Sequence, residues 1–442
     1  MNLKKFSLIA LIAAMSSTAF GASIDHIQNY TAEYNANPAQ QAAISATTSP
    51  FFNPAGLMRL KNGTYFTGGL QLAIGKESMR YDKLDGSSNK YDADLLAPIP
   101  NFAIFKKTDD RTYFWTFSGI AGGGDLEYKD GVAGIKVLED YLNEPGRLTN
   151  INTSGSWAEG ENMYGQTTIG MAWNVTSKLS MSVGARAVYG WRNLEAELNA
   201  TGKLGGVLPI DANAYIDSER TAWGFGGQFG LNYAANDTWN FAMRYDTKVR
   251  MNFEADADEK RFDDYKNKGL DLGFSDFFPQ YKDGAKYRRD LPALLALGAS
   301  QKVTDRWTMF YGFNYYFNES AKIDKDVPGY INGIEYDNGY EISIGTEYWI
   351  NDKFAILGGA NYADTGAPAE SYSDVEFALN SFMVGLGVKY RPDEDTEWVV
   401  STNHYFYEST DGTFNDKYAG KANNQRYDKD ISSIGFSYTK RF

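Results

Sequence analysis

The chain offers little material for catalysis, because it holds only two histidines. Thr402 and His404 are two positions apart, so both side chains would lie on one face of a strand, a spacing that an esterase could use. The same face carries Trp398, Val400 and Phe406, which is typical of a wall in contact with lipid. We therefore predict that the protein is not an enzyme and has no catalytic residue.

The sequence contains equally few candidate ligands for a metal ion or a cofactor. The chain has no cysteine, which excludes disulfides and thiolate metal sites. The acidic run at 254–259 could hold Ca²⁺ through its oxygens, but a solvated loop is the simpler interpretation. We predict no metal and no cofactor. The net charge of −13 also argues against a nucleic-acid partner.

Basic side chains could hold the head group of a carboxylate ligand, and arginine is well suited because its planar fork matches both oxygens. The cations predicted to point into the interior are Arg186, Arg192, Arg244, Lys248, Arg250 and Lys389. An apolar slot beside them would complete a site, so the interior candidates for ligand binding are Phe51, Phe52, Arg186, Arg244 and Arg250. The alternative is a network of ion pairs with Asp246, Glu341 and Glu347.

Long segments of alternating polarity must position these groups. From Trp239 to Phe253 apolar residues occupy one parity and charged residues the other, so one face of a strand of roughly fifteen residues is apolar. The pattern recurs in about fourteen segments, at 63–76, 93–107, 112–128, 158–175, 178–198, 218–235, 238–255, 286–303, 306–321, 337–350, 353–363, 377–391, 395–408 and 431–442. The chain is therefore predicted to be all-β, a 14-stranded antiparallel transmembrane β-barrel.

The connections alternate between short turns and long loops, as in barrels of the bacterial outer membrane. The long ones are predicted near 77–92, 129–157, 199–217, 256–285, 322–336, 364–376 and 409–430. The last strand carries aromatic residues and ends on Phe442, which resembles the signal read by the barrel assembly machinery. Partners would then include that machinery, outer-membrane lipid and lipopolysaccharide.

The N-terminal part of the chain does not alternate. Residues 1–21 have a basic start, an apolar run and small residues, as in a signal peptide. Residues 22–62 are too few and too polar to form a core of their own, so we predict an N-terminal hatch, or plug, inside the lumen. Residues 63–442 form the predicted barrel.

The sequence then resembles a known family. Phe51-Phe52-Asn53-Pro54-Ala55-Gly56-Leu57 is similar to the Asn-Pro-Ala hatch motif of the FadL outer-membrane transporters of long-chain fatty acids and aromatic hydrocarbons. Further similar segments are Ala222 to Gly226, Asp290-Leu291-Pro292, and Asp364 to Pro368. The resemblance implies fourteen strands, a monomer, and a hatch whose motif is Asn53, Pro54, Ala55 and Gly56. The basic residues of the family's carboxylate site have no one-to-one match here.

Two loops and one glycine run complete the candidate path for a hydrophobic ligand such as a fatty acid, a detergent or a lipid. Apolar loop residues predict a capture surface, which the resemblance also implies, at Leu204, Val207, Leu208, Leu270, Leu272, Phe274, Phe277 and Phe278. The alternative is that these side chains pack only against each other as a lid. Gly122, Gly123 and Gly124 interrupt the third strand, where the resemblance implies a kink that opens the wall sideways, with Asn53 lining it. A simple tight bend in a closed wall would explain the glycines too.

The sequence thus predicts passive uptake of hydrophobic molecules by loop capture, transfer past the hatch and lateral exit. The alternative is a general barrel, either a porin for polar solutes or an adhesin. A plug separates them, because a polar-solute porin has no use for one. Which hydrophobic ligand is carried, and whether an interior carboxylate site exists, stay open.

Overall fold

A computed structural model describes residues 30–82, 88–132, 135–136, 139, 143, 149–204, 207–261, 273–276, 279–322, 335–372, 377–411 and 425–442. The predicted signal peptide at 1–21 and the start of the predicted hatch lie outside these residues. Among the residues described, no helix has the length and apolar character that crossing a membrane would require.

Strands make up most of the described chain. They are β1 Gly63–Asp82, β2 Ser88–Lys107, β3 Arg111–Tyr128, β4 Thr149–Asn152, β5 Trp157–Asn174, β6 Leu179–Leu204, β7 Leu208–Ala234, β8 Trp239–Asp246, β9 Asn252–Lys260, β10 Lys286–Arg288, β11 Leu294–Thr304, β12 Trp307–Tyr316, β13 Gly339–Trp349, β14 Phe354–Asp364, β15 Ser381–Asp393, β16 Thr396–Tyr407, β17 Thr410–Asp411 and β18 Gln425–Arg441.

Helices in the described residues are short. The α-helices described over their whole length are Ala32–Ala36 and Ser49–Phe52, and helical residues are also described at 135–136 and 139. The others are 3-10 turns at Gln40–Ala42, Pro54–Arg59, Phe274–Asp276, Pro279–Tyr281, Asn318–Ser320 and Ala369–Ser371.

The strands form one closed antiparallel ring. β8 continues into β9, and β10 into β11, while β4 and β17 add short pairings to β6 and β18, which leaves fourteen wall strands. The ring closes where β1 pairs with β18, from Tyr65 opposite Arg441 to Tyr81 opposite Gln425. The prediction of a 14-stranded antiparallel barrel is confirmed, and each predicted segment overlaps a wall strand.

The wall has two chemically different faces because side chains alternate along each strand. On β1, Leu70 and Ile74 are exposed on the outside, whereas Thr67 and Gln71 are fully buried on the inside. Outward apolar side chains continue round the ring, for example Ile342, Leu386 and Ile434. An apolar exterior suits contact with hydrocarbon, where every backbone group must find its partner within the barrel.

The prediction of a loop at 199–217 is wrong. β6 and β7 continue as a paired hairpin from Leu179 opposite Tyr233 to Leu204 opposite Leu208. Ala200, Ala212 and Ala214 are buried on its inner face, so the alternation persists there with small side chains. The first five residues of the predicted 256–285 loop likewise belong to β9, which pairs with β7.

The seventh wall strand was predicted to be continuous over 238–255, but it is broken into β8 and β9. Phe241 faces outward, but Val249 and Phe253, at the same parity, are fully buried inside. The break between β8 and β9 shifts the parity by one residue, and such a shift exchanges the two faces of a strand. Arg250 and Lys248 are therefore exposed, and the prediction that they point into the lumen is wrong.

Candidate functional site

The N-terminal segment, residues 30–62, contacts inward side chains on many sides of the ring. Asn101 of β2 donates to the Tyr30 carbonyl at 2.6 Å, and Asn35 donates to Ser401 of β16 at 3.2 Å. On the other side, Gln41 donates to Asn314 of β12 at 3.1 Å. These hydrogen bonds connect the segment to strands that are far apart in sequence.

The Asn53 side chain makes the main hydrogen bonds of the Asn53-Pro54-Ala55-Gly56 motif. Its oxygen accepts from the Gly56 N–H at 3.1 Å, which caps the 3-10 turn that begins at Pro54. Its amide donates to Asn232 of β7 at 2.8 Å, and Ser180 of β6 donates to the Ala55 carbonyl at 2.7 Å. The motif therefore contacts β6 and β7, and the expectation that Asn53 lines the third-strand opening is wrong.

Phe51 and Phe52 form an aromatic stack with the start of the segment. The Phe52 ring lies 4.9 Å from the Tyr30 ring and 5.0 Å from the Tyr34 ring, centroid to centroid. Phe51 and Phe52 are almost fully buried, in one cluster with Ile120 of β3. The two phenylalanines thus pack the segment against the wall, and neither lines the large cavity described below.

The predicted interior arginines are occupied by the protein itself. Arg244 pairs with Asp246 at 3.2 Å and donates to the Phe51 carbonyl at 2.5 Å. Arg186 donates to Gln166 at 2.8 Å and to the Thr247 carbonyl at 3.1 Å. Both guanidinium groups therefore already have partners within the protein, and of the ion pairs in the network alternative the pair of Arg244 with Asp246 is present.

A buried charge cluster joins the segment to the wall. The Lys389 amine lies 3.0 Å from Glu347, 3.4 Å from Glu33 and 3.5 Å from Glu397. Arg391 also pairs with Glu397 at 2.6 Å, so two cations serve three carboxylates, which favours keeping one carboxyl neutral. Burial raises the pKa of the Glu33 carboxyl to about 8, and the Lys389 amine opposes that rise.

The wall loses its regular pairing between β2 and β3. Leu96 pairs with Asp125 and Asn101 pairs with Ser118, but the residues between them do not pair across the two strands. Gly122 and Gly124 have φ of +121° and +75°, a region that favours glycine. Gly123 lies between them in β3. β3 continues through the glycine run, but its pairing with both β2 and β5 is irregular there. That this irregularity opens the wall sideways stays a prediction.

The sequence analysis missed the contribution of β2 to this irregularity. Pro98 and Pro100 lie opposite the glycine run and have no N–H to donate to a neighbouring strand. Prolines in a strand are confined to edges and bulges, so two of them in one wall strand were a usable signal. Ile99 lies between them, and a Cβ added to Gly119 would lie 3.5 Å from its Cγ2 atom.

A cavity of about 950 Å³ lies at this gap. From the interior it is lined by Tyr34, Phe377 and Tyr405, and at the gap by residues of the β2 and β3 irregularity. Its lining also includes Met163 and Trp223, which are exposed on the outer face of the wall. The cavity therefore has lining residues on both faces of the barrel.

A second cavity, of about 470 Å³, lies on the side of the short turns. Its lining is rich in charge and includes Lys61, Asp237, Arg391, Glu394 and Arg441. It shares no lining residue with the large cavity, and Gln40 and residues 43–46 of the N-terminal segment contribute to its wall. The two cavities thus differ in chemistry.

The long-loop end of the barrel interior is filled by an apolar cluster. It includes Leu194, Ile216, Phe274, Phe377 and Tyr427. The described parts of the two predicted capture loops do meet here, but Phe274 is fully buried and the expectation that it forms an exposed surface is wrong. Val207 is 84% exposed at the hairpin tip.

The remaining capture candidates lie largely outside the described part of the chain. This applies to Leu270, Leu272, Phe277 and Phe278 altogether, and to the side chains of Leu204 and Leu208. Their role stays a prediction.

The Thr402 and His404 pair faces outward, as expected. The His404 Nδ1 atom lies 2.9 Å from the Ser432 hydroxyl and 4.0 Å from an Asp430 oxygen. A nucleophile, base and acid would need the two ring nitrogens to serve different partners. Here one nitrogen faces both groups, so the arrangement is not that of a catalytic triad.

The acidic run at 254–259 does not converge on one point. It belongs to β9, where residues on the same face are about 6.6 Å apart along the strand. In the described residues the carboxylates close enough to share a cation are Asp125, Glu159 and Glu161, within 4.8 Å of one another. The sequence analysis did not single them out.

Comparisons with known proteins agree with this architecture. The family model described as "Outer membrane protein transport protein (OMPP1/FadL/TodX)" matches residues 161–442. The long-chain fatty acid transport protein of Escherichia coli K12 is 22% identical over 373 residues, covering 76% of this chain and 78% of that protein. Outer membrane protein P1 of Haemophilus influenzae is 23% identical over 411 residues, covering 81% of each.

Solved structures share the fold. A Pseudomonas aeruginosa FadL homologue superimposes with a TM-score of 0.71 at 14% identity, covering 95% of this chain and 99% of that one. The Pseudomonas putida toluene transporter TodX gives a TM-score of 0.61 at 17% identity, covering 95% and 100%.

Proposed function

The chain belongs to the outer membrane protein transport family described as OMPP1/FadL/TodX, and from this premise we propose that it carries hydrophobic compounds through the wall of its own barrel into the membrane. It is an outer-membrane transport protein rather than an enzyme. Two relatives are named for long-chain fatty acids and for toluene, and we propose a ligand of that general kind. Residues 22–62 act as a hatch that directs it sideways.

The cavity at the β2–β3 gap is the observation that carries the proposal. Its lining includes Tyr34 and Phe377 from the interior and Met163 and Trp223 from the outer face. An apolar solute gains nothing from entering water, so a path that ends in the membrane is the favourable one. Unpaired backbone N–H groups in lipid cost several kcal/mol each, and Pro98 and Pro100 have none to leave unpaired.

The axial direction is the less favourable path for such a solute. The charged second cavity shares no lining residue with the large one, and the buried Phe51 and Phe52 line neither of them. A polar-solute porin would instead keep a water-filled lumen, whereas here an apolar cluster and the N-terminal segment occupy the interior. These features favour the hydrophobic channel over the general porin.

A disulfide across the gap tests the lateral path. The chain has no native cysteine, so Ile99→Cys with Gly119→Cys would introduce a single cross-link. A Cβ added to Gly119 would lie 3.5 Å from the Ile99 Cγ2 atom, which is close enough for a disulfide between the two positions. We expect uptake of a radiolabelled hydrophobic probe by intact cells to fall to background after oxidation, and to return after reduction.

The matched control is Gly358→Cys with Leu386→Cys, which are opposite each other on the regularly paired strands β14 and β15. Its cross-link should leave uptake unchanged. Undiminished uptake in the oxidised gap variant, with the cross-link verified by mass spectrometry, would show that the ligand does not leave between β2 and β3.

A further inference from the structure

The charges that line the large cavity are mostly of one sign. Its described lining carries four carboxyl groups, Glu77, Asp125, Glu161 and Glu341, and a single amine, Lys429. An excess of carboxylates in a low-dielectric cavity repels an anionic ligand, and the repulsion is stronger than in water. The lining therefore disfavours a negatively charged ligand.

The Lys429 amine already has an anionic partner. It lies 2.5 Å from the Glu77 carboxylate, and both side chains are largely buried. The amine also lies 4.6 Å from the centre of the Phe377 ring. A carboxylate ligand would have to displace Glu77 from this pair, and the displaced charge would remain buried.

The other charged side chains in the lumen do not provide a better partner for an anion. Glu341 accepts hydrogen bonds from Asn314 at 2.7 Å, Tyr316 at 3.0 Å and Tyr34 at 3.3 Å. Arg186 and Arg244 are held by protein groups and do not line the cavity. Over the described lining, no cation remains that lacks a carboxylate beside it.

We propose that the Glu77–Lys429 pair makes the cavity selective for uncharged hydrophobic compounds and against carboxylates of the same chain length. This inference rests on the proposed function, since it concerns the ligand of the same cavity. In this account Glu77 is a specificity-determining residue: it occupies the one lining cation that a fatty-acid head group would otherwise use. Hydrocarbons and alcohols lose nothing by its presence.

Two ligands with the same chain length, one with a neutral and one with an anionic head group, test the proposal. Binding of tritiated 1-dodecanol and dodecanoate would be measured on the full-length protein in lipid nanodiscs at pH 7.5, with empty nanodiscs subtracted. We expect dodecanol to bind at least about tenfold more tightly, a difference of about 1.4 kcal/mol. Equal or tighter binding of dodecanoate would overturn the inference and leave the transport proposal standing. Binding of neither ligand would overturn both.

A variant gives the converse result. Glu77→Gln keeps the size of the side chain and leaves the Lys429 amine without its carboxylate, so dodecanoate binding should rise at least about tenfold. Asp125→Asn is the control, because it removes a lining carboxylate that the structure does not pair with Lys429. An equal gain in both variants, each confirmed as folded by its heat-modifiable migration in gels, would assign the effect to net charge and contradict a specific role of Glu77.

Discussion

At the scale of single residues, neighbouring strands of the wall contain glycine and proline at interior positions, where ordinary strands rarely have them. Gly122 and Gly124 adopt positive φ in β3. Pro98 and Pro100 of β2 have no backbone N–H to donate in a hydrogen bond. The glycines could be found from the sequence, because three in a row stand out in an alternating strand. The prolines carried an equally physical signal that we did not use. The pair of Arg244 with Asp246 was among the predicted alternatives, because the two residues share a face of one strand. The partners of Arg186 could not be foreseen, because they depend on which strands meet in the barrel.

Gly122 permits a first prediction. A Cβ at this position would lie 2.3 Å from the Asn162 carbonyl oxygen, and its φ is +121°. We expect Gly122→Ala to lower the free energy of unfolding by about 1–3 kcal/mol, the usual cost of a strained backbone position. Urea unfolding in lipid vesicles, followed by tryptophan fluorescence, measures this change.

Gly119→Ala is the matched control, since its Cβ would meet only Ile99 at an ordinary 3.5 Å. A stability loss as large at Gly119 as at Gly122 would mean that the strand tolerates no side chain here, whatever its backbone conformation.

At the scale of elements, alternation located the wall strands but did not fix their faces throughout. It predicted one continuous seventh strand, whereas the break between β8 and β9 turns Val249 and Phe253 inward. A one-residue shift leaves the period unchanged and reverses both faces, so the sequence pattern alone does not reveal it. Likewise, alanines on the inner face of the β6–β7 hairpin are too small to mark an alternating strand.

The contact between the N-terminal segment and the wall should depend on pH. The pKa of Glu33 is about 8 in the folded protein and 4.5 without its environment. Between these values the folded state keeps a proton that the unfolded state has lost, so the contribution of Glu33 to stability is fully present below pH 4.5 and is lost as pH rises towards 8. Amide exchange protection of residues 30–60, corrected for the intrinsic effect of pH, should fall across this range.

Glu33→Gln should remove that dependence, because a neutral amide has no proton to lose. The exposed Glu319→Gln variant should keep the wild-type slope. Protection that decreases with pH as steeply in Glu33→Gln as in wild type would show that another group controls the attachment of the segment.

At the scale of the whole molecule, the barrel separates two environments. The large cavity meets aromatic side chains and the outer face of the wall, while the smaller cavity on the short-turn side is strongly charged. The N-terminal segment has contacts with both, through Tyr34 in the first and Gln40 in the second. Composition and alternation predicted the barrel and an internal plug. The cavity itself could not be predicted, because it depends on how β2 and β3 part.

The most direct test is the uptake rate of two probes by cells that lack other outer-membrane transporters of hydrophobic compounds. We predict that expressing this chain accelerates the uptake of radiolabelled 1-dodecanol and leaves the uptake of a small sugar such as arabinose unchanged. Acceleration of arabinose uptake without any effect on dodecanol would contradict it and identify the barrel as a polar-solute porin.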